Sequence, residues 1–104
     1  MTVETFTLDT FSERVGESFG VEIEGAPPFE LRLEAVREIP PLGWRPEEAA
    51  AHRQPFALEL LGPPQFILPQ QIYRFTSGTL GTFEIFIVPI GRTAAGITYE
   101  AVFS

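Results

Sequence analysis

Apolar and polar residues alternate along most of this chain, most cleanly in its last third. Arg74 separates Tyr73 from Phe75, Glu84 separates Phe83 from Ile85, and Glu100 separates Tyr99 from Ala101. Successive side chains of a strand point to opposite faces, so this period of two predicts strands over Ile72 to Thr76, Thr82 to Ile90 and Ile97 to Ser104. The glycine-bearing turns Ser77 to Gly81 and Gly91 to Gly96 join them as an antiparallel meander. Further back, Phe19, Val21 and Ile23 alternate with Gly20, Glu22 and Glu24. Phe29, Leu31, Leu33 and Ala35 alternate with Glu30, Arg32 and Glu34 across the turn Gly25-Ala26-Pro27-Pro28, which makes a hairpin with one wet face. Beyond Val36 the alternation slips, as at a bulge or a strand end. Phe56 to Leu61 is another strand, ended by Gly62-Pro63-Pro64. Gln65 to Gln70 then crosses to the meander, with Leu68-Pro69 arguing against a regular strand there.

Two stretches leave the alternation. Asp9 to Val15 reads as a short helix, with Asp9 or Thr10 as N-cap, Gly16 as terminator, and Leu8, Phe11 and Val15 on one side. Two turns cannot stand alone, so the helix is expected as a lid on a sheet. Pro40 to Pro55 is the longest break, in which Pro46 to Arg53 suits two helical turns with acids at the start and bases at the end.

The fold expected is mainly β: one all-β domain over residues 1–104, a six-stranded antiparallel barrel-like meander with a short N-terminal helix. Curling into a barrel covers the apolar face of such a sheet with least extra chain. The expected core is Phe19, Val21, Ile23, Phe29, Leu31, Leu33, Phe56, Leu58, Leu60, Tyr73, Phe75, Phe83, Ile85, Ile87, Tyr99, Ala101 and Phe103. One strand is apolar on both sides, because Phe86, Val88 and Ile90 occupy its second face beside Glu84. Either the N-terminal helix covers that face, or it is a subunit interface.

Composition narrows the function. At 104 residues and 44% hydrophobic the chain can bury a core, and no run reaches the roughly 18 apolar residues of a membrane-spanning helix. A net charge of −7 repels phosphate backbones, so nucleic acid is not an expected partner. The start of the chain lacks the basic and apolar regions of a secretory signal, which makes the cytoplasm, or assembly into a particle, the expected location. All seven bases are arginine, cysteine is absent, and there are ten prolines. That composition suits a thermophile or a GC-rich genome equally.

No catalytic constellation emerges. Without cysteine or lysine, nucleophilic chemistry falls to Ser12, Ser18, Ser77 and Ser104, none of them in a nucleophile-elbow context. His52 follows Glu48 by four residues, but a metal site needs three or four ligands, so the pair reads as a solvated helix end. No metal and no cofactor are expected. Trp44 beside Arg45 in the proline-rich excursion has the chemistry of an interface anchor, or Trp44 folds down to plug the barrel end. The candidate interaction residues are therefore Trp44, Arg45, Phe86, Val88 and Ile90.

From Phe56 onward the chain resembles a family of small bacterial domains. The resemblance rests on Gly62-Pro63, Leu68-Pro69-Gln70, Tyr73, Phe75, Leu80-Gly81, Phe83, Ile85-Phe86-Ile87-Val88-Pro89-Ile90 and Tyr99-Glu100-Ala101-Val102-Phe103, with Phe11, Val15-Gly16 and Phe19 also fitting. It is weakest from Pro40 to Arg53. The resemblance implies a gene neighbourhood with tail-collar-type proteins of phage-tail-like systems, and no catalytic residues. The function expected is a non-enzymatic structural or accessory interaction domain that self-associates or binds a protein partner. The alternative is a small-molecule-binding barrel with the Pro40 to Pro55 loop at its mouth.

Overall fold

Six strands form where the alternation runs: β1 (Ser18–Glu22), β2 (Phe29–Glu38), β3 (Phe56–Gly62), β4 (Gln71–Ser77), β5 (Gly81–Thr93) and β6 (Gly96–Phe103), preceded by one helix, α1 (Leu8–Ser12). The structure is a computed structural model and describes residues 6–26, 29–39, 55–65 and 67–103. All neighbouring strands pair antiparallel, and the sheet closes on itself in the order β1-β2-β3-β6-β5-β4. The barrel is thus two meanders, β1-β2-β3 and β4-β5-β6. Because β3 and β4 lie opposite each other in the ring, residues 63–65 and 67–70 lie across one end of the barrel.

Inward positions of every strand meet in a single core containing every residue expected there except Ile23, which is partly buried at its edge. Phe6, Leu68, Leu80 and Ile97, which the sequence pattern did not place, are also buried, as is Phe11, expected on the packing side of the helix. Helix α1 is shorter and earlier than expected. Its N-cap is Thr7, whose N–H donates to Thr10 Oγ1 at 2.9 Å, while the Thr10 N–H donates to the Thr7 carbonyl at 3.0 Å. This reciprocal pairing fixes the start ahead of Asp9. Residues 13–16 form a turn ending at Gly16, whose φ of +99° suits glycine. Val15 therefore leaves the helical face and is exposed.

The helix closes the barrel end where β1, β3 and β5 begin. Phe11 sits among Phe19, Phe56, Phe83 and Phe103, with ring centroids 5.5 to 6.3 Å away. Phe6 meets Phe11 and Phe83 edge-on at 5.3 and 5.1 Å, and Phe56 stacks on Phe103 at 4.7 Å. These separations fall in the favourable range for aromatic pairs. Arg14 ties the helix end to the β4–β5 turn by donating from Nε to Thr79 Oγ1 at 2.9 Å.

The opposite end is closed by the crossing segment. The Leu68 N–H donates to the buried Tyr99 hydroxyl at 2.9 Å, and the Tyr73 hydroxyl donates to the Pro69 carbonyl at 2.7 Å. Two phenols from the barrel wall thus satisfy backbone groups of a segment that belongs to no strand.

Two bulges shift faces. Between Leu33 and Ala35 the β2–β3 register slips, so Ala35 pairs with outward Glu59, and Val36 turns toward the core. The slip comes ahead of the expected position after Val36, and it takes Ala35 off the core face. The second bulge separates Pro89 from Gly91, after which β5 and β6 continue pairing to Thr93↔Gly96. Gly91, expected to open a turn, instead continues β5 past a bulge beside Pro89, where a residue lacking an N–H is tolerated, and the turn is confined to Ala94 and Ala95.

Candidate functional site

Among the described residues no helix packs on the outward face of β5. Phe86 is 50% and Ile90 48% exposed, and Val88 is half-buried. The helix does not shield them, because Phe11 points into the barrel end and Val15 into solvent. That corrects the expectation of a helical lid on this face: the interior aromatics compete for the Phe11 ring more effectively than the outer surface does.

Strand register shows that Phe86 does not stand alone. Ile72 on β4 is its direct partner, and Val102 stands on neighbouring β6, two residues past the last β5–β6 pair, Val88↔Glu100. Ile72 is 63% and Val102 58% exposed. Beyond Val102 the row continues to Ala57 on β3 and then to Arg37 on β2. Ile72 and Phe86, one strand step of roughly 4.8 Å apart, form an exposed apolar stripe across β4 and β5, with Val102 exposed on neighbouring β6.

Polar rows border this stripe on both sides. One holds Glu22, Arg74 and Glu84, with Arg74 paired to both acids in register and 3.6 Å from the Glu22 carboxylate. The other holds Val88, Glu100 and Glu59, and Arg37 bridges to the Glu100 carboxylate. Among the described residues Glu84 and Glu59 make no ion pair.

Beside the stripe an open groove of about 790 Å³ runs along the seam of β1 and β4. Gly20 lies along it, and Glu22, Ile23, Glu24, Ile72 and Tyr73 are among its walls. β1 ends at Glu22, opposite Arg74, whereas β4 begins three residues further out at Gln71. Burial pushes the Tyr73 phenol above its ordinary value, with nearby Tyr99 adding to the effect; burial also raises Tyr99, against the hydrogen bond from Leu68.

Trp44, Arg45 and His52 lie outside the described residues, as does the expected helical stretch Pro46 to Arg53. Among the described residues no three His, Asp or Glu side chains come together as a metal-binding group. No described helix is long and apolar enough to cross a membrane. Ile72 and Val102 were not singled out from sequence, although a hairpin register drawn through the Ser77 to Gly81 turn would have set Ile72 against Phe86.

Comparison with known proteins identifies the chain at the level of family. It belongs to the family described as a domain of unknown function, DUF6916, whose model matches residues 6–103. No curated protein and no solved structure matches it.

Proposed function

We propose that this member of the DUF6916 family is a non-catalytic interaction domain, and that its working surface is the outer face of β4, β5 and β6. The observation that carries the reading is the exposed row Ile72–Phe86–Val102. The fold itself does not call for it. The outward positions of β1 and β2 in the same barrel are coated with Glu22, Glu30, Arg32, Glu34 and Arg37. A contiguous apolar patch on one side of a barrel charged on the other is the usual mark of a contact surface. Burying the exposed half of each of the three side chains would contribute about 1 kcal/mol apiece.

The gene neighbourhood implied by the sequence resemblance fits an accessory part of a phage-tail-like assembly, in which the stripe meets another copy or a neighbouring component. A ligand-binding barrel with its mouth near residues 40–55 is less well supported, because phenylalanine rings fill the barrel end next to Pro55 and Phe56.

Light scattering on a size-exclusion column, over a range of concentrations, tests self-association first. A multiple of 11.6 kDa that Phe86→Glu reduces to monomer, with an unchanged melting temperature, supports the reading. For a monomer, a photo-reactive benzoylphenylalanine at Val102 should cross-link one defined protein in the native host, whereas the same group at Arg32 should not. A monomer that cross-links equally from both positions refutes it.

A further inference from the structure

The seam between β1 and β4 is incomplete, and we propose that it receives an extended segment of a partner polypeptide, added as a strand and carrying lysine or arginine beside its apolar residues. The proposal goes beyond the apolar stripe, although Ile72 borders both surfaces.

The backbone makes the first part of the case. Gln71, Ile72 and Tyr73 pair with Ile87, Phe86 and Ile85 on one side, while pairing with β1 on the other side ends at Glu22↔Arg74. Backbone N–H and C=O groups alternate sides along a strand, so at least one of these three residues directs both toward the open seam. Residues 23–26 do not reach them: the Ala26 N–H closes a turn on the Ile23 carbonyl at 3.1 Å. The space left is the groove of about 790 Å³. An exposed strand edge lying in a groove is the geometry by which extended peptides bind, with main-chain hydrogen bonds giving affinity and alternate side chains giving specificity.

The side chains make the second part. Ile72, 63% exposed, offers an apolar contact for an incoming outward residue. Around it stand Glu22, Glu24 and Glu84 against the single cation Arg74, which is already paired with Glu22. Glu24 and Glu84 make no ion pair among the described residues and are exposed. A strand with an apolar residue over Ile72 and cations on either side complements this pattern. A second copy of the chain is a poor occupant, since it would bring the same acidic surplus and a net charge of −7.

The test is amide chemical-shift mapping with the peptide acetyl-Lys-Thr-Val-Thr-Lys-Thr-amide, in which Lys and Val share one strand face, its Glu-for-Lys counterpart, and two forms of the Lys peptide N-methylated at one or the other set of alternate residues. The Lys peptide is expected to shift the amides of Ile23, Glu24, Gln71, Ile72 and Tyr73. The Glu peptide should not, N-methylation of the edge-facing amides should abolish binding, and Glu24→Lys with Glu84→Lys should weaken it by about tenfold or more. Four results overturn the proposal. A seam that stays silent at millimolar peptide is the first. Binding that survives N-methylation at both sets of alternate positions, each tried in turn, would mark a side-chain or small-molecule site. Shifts confined to Phe86, Val88 and Val102 would assign the peptide to the stripe. Seam shifts that follow protein concentration alone would assign it to a second copy.

Discussion

Replacing Tyr99 with phenylalanine removes one oxygen atom from the closed end of the barrel. Tyr99 is fully buried, Leu68 is 4% exposed, and their hydrogen bond is 2.9 Å long. The variant keeps the ring and its packing but leaves the Leu68 N–H without a partner in a place water reaches poorly. An unsatisfied buried donor costs about 1–3 kcal/mol. For a domain of this size each kcal/mol shifts the midpoint by about 4–8 °C, so a central value of ~2 kcal/mol lowers Tm by about 10 °C. Tyr73→Phe should cost less, below ~1 kcal/mol, because the carbonyl it abandons belongs to exposed Pro69, where water can replace the hydroxyl.

The same substitutions carry a pH signature. Both phenols are held above their ordinary value of 10.0 in the folded chain. As the pH rises past 10 the unfolded chain loses these protons first, while the folded chain still binds them. Stability is therefore complete below pH 10 and falls as the pH rises through the folded-state values. Tyr99→Phe should flatten that alkaline fall while lowering the plateau beneath it. Calorimetric melts of both variants from pH 8 to 11.5 check this. A Tyr99→Phe midpoint within about 2 °C of wild type at pH 8, with an unchanged alkaline slope, would refute the clamp.

Other consequences follow from the closed ends. A Cβ at Gly96, whose φ is +145°, would lie 2.1 Å from the Gly62 carbonyl oxygen, so Gly96→Ala should destabilise by about 3 kcal/mol or more in urea unfolding. Phe11→Ala empties the centre of the aromatic cluster and should cost about 3–5 kcal/mol, although α1 spans only five residues. Phe86→Ser, on the outer face, should move the melting temperature by no more than about 2 °C, since half of that ring already stands in water.

Alternation identified the strands because each has one wet face and one dry one. Phe19 and Val21, or Phe83 and Ile85, report their direction through period two alone. The same signal was blind to three things. It could not see that Phe6 and Phe11 fill the barrel from its end, since a two-turn helix offers too few positions to tell inside from outside. It missed the early bulge at Glu34, because Ala35 is apolar enough to pass for an inward residue. It also left open what covers Phe86, for periodicity says which residues share a face and nothing about what stands above it.

That last gap is where functional information lies. The ring order β1-β2-β3-β6-β5-β4 sets β4, β5 and β6 side by side on one flank, and only this neighbourhood brings the exposed pair Ile72 and Phe86 and the exposed Val102 to one side of the barrel. In sequence they sit 14 and 16 residues apart, and each alone is an unremarkable exposed apolar residue. Both ends of the barrel are closed, by phenylalanine rings at one and by the Tyr99 and Tyr73 hydroxyls at the other. On the proposed reading a partner therefore binds the outer surface, meeting apolar area on the stripe and a strand edge at the seam.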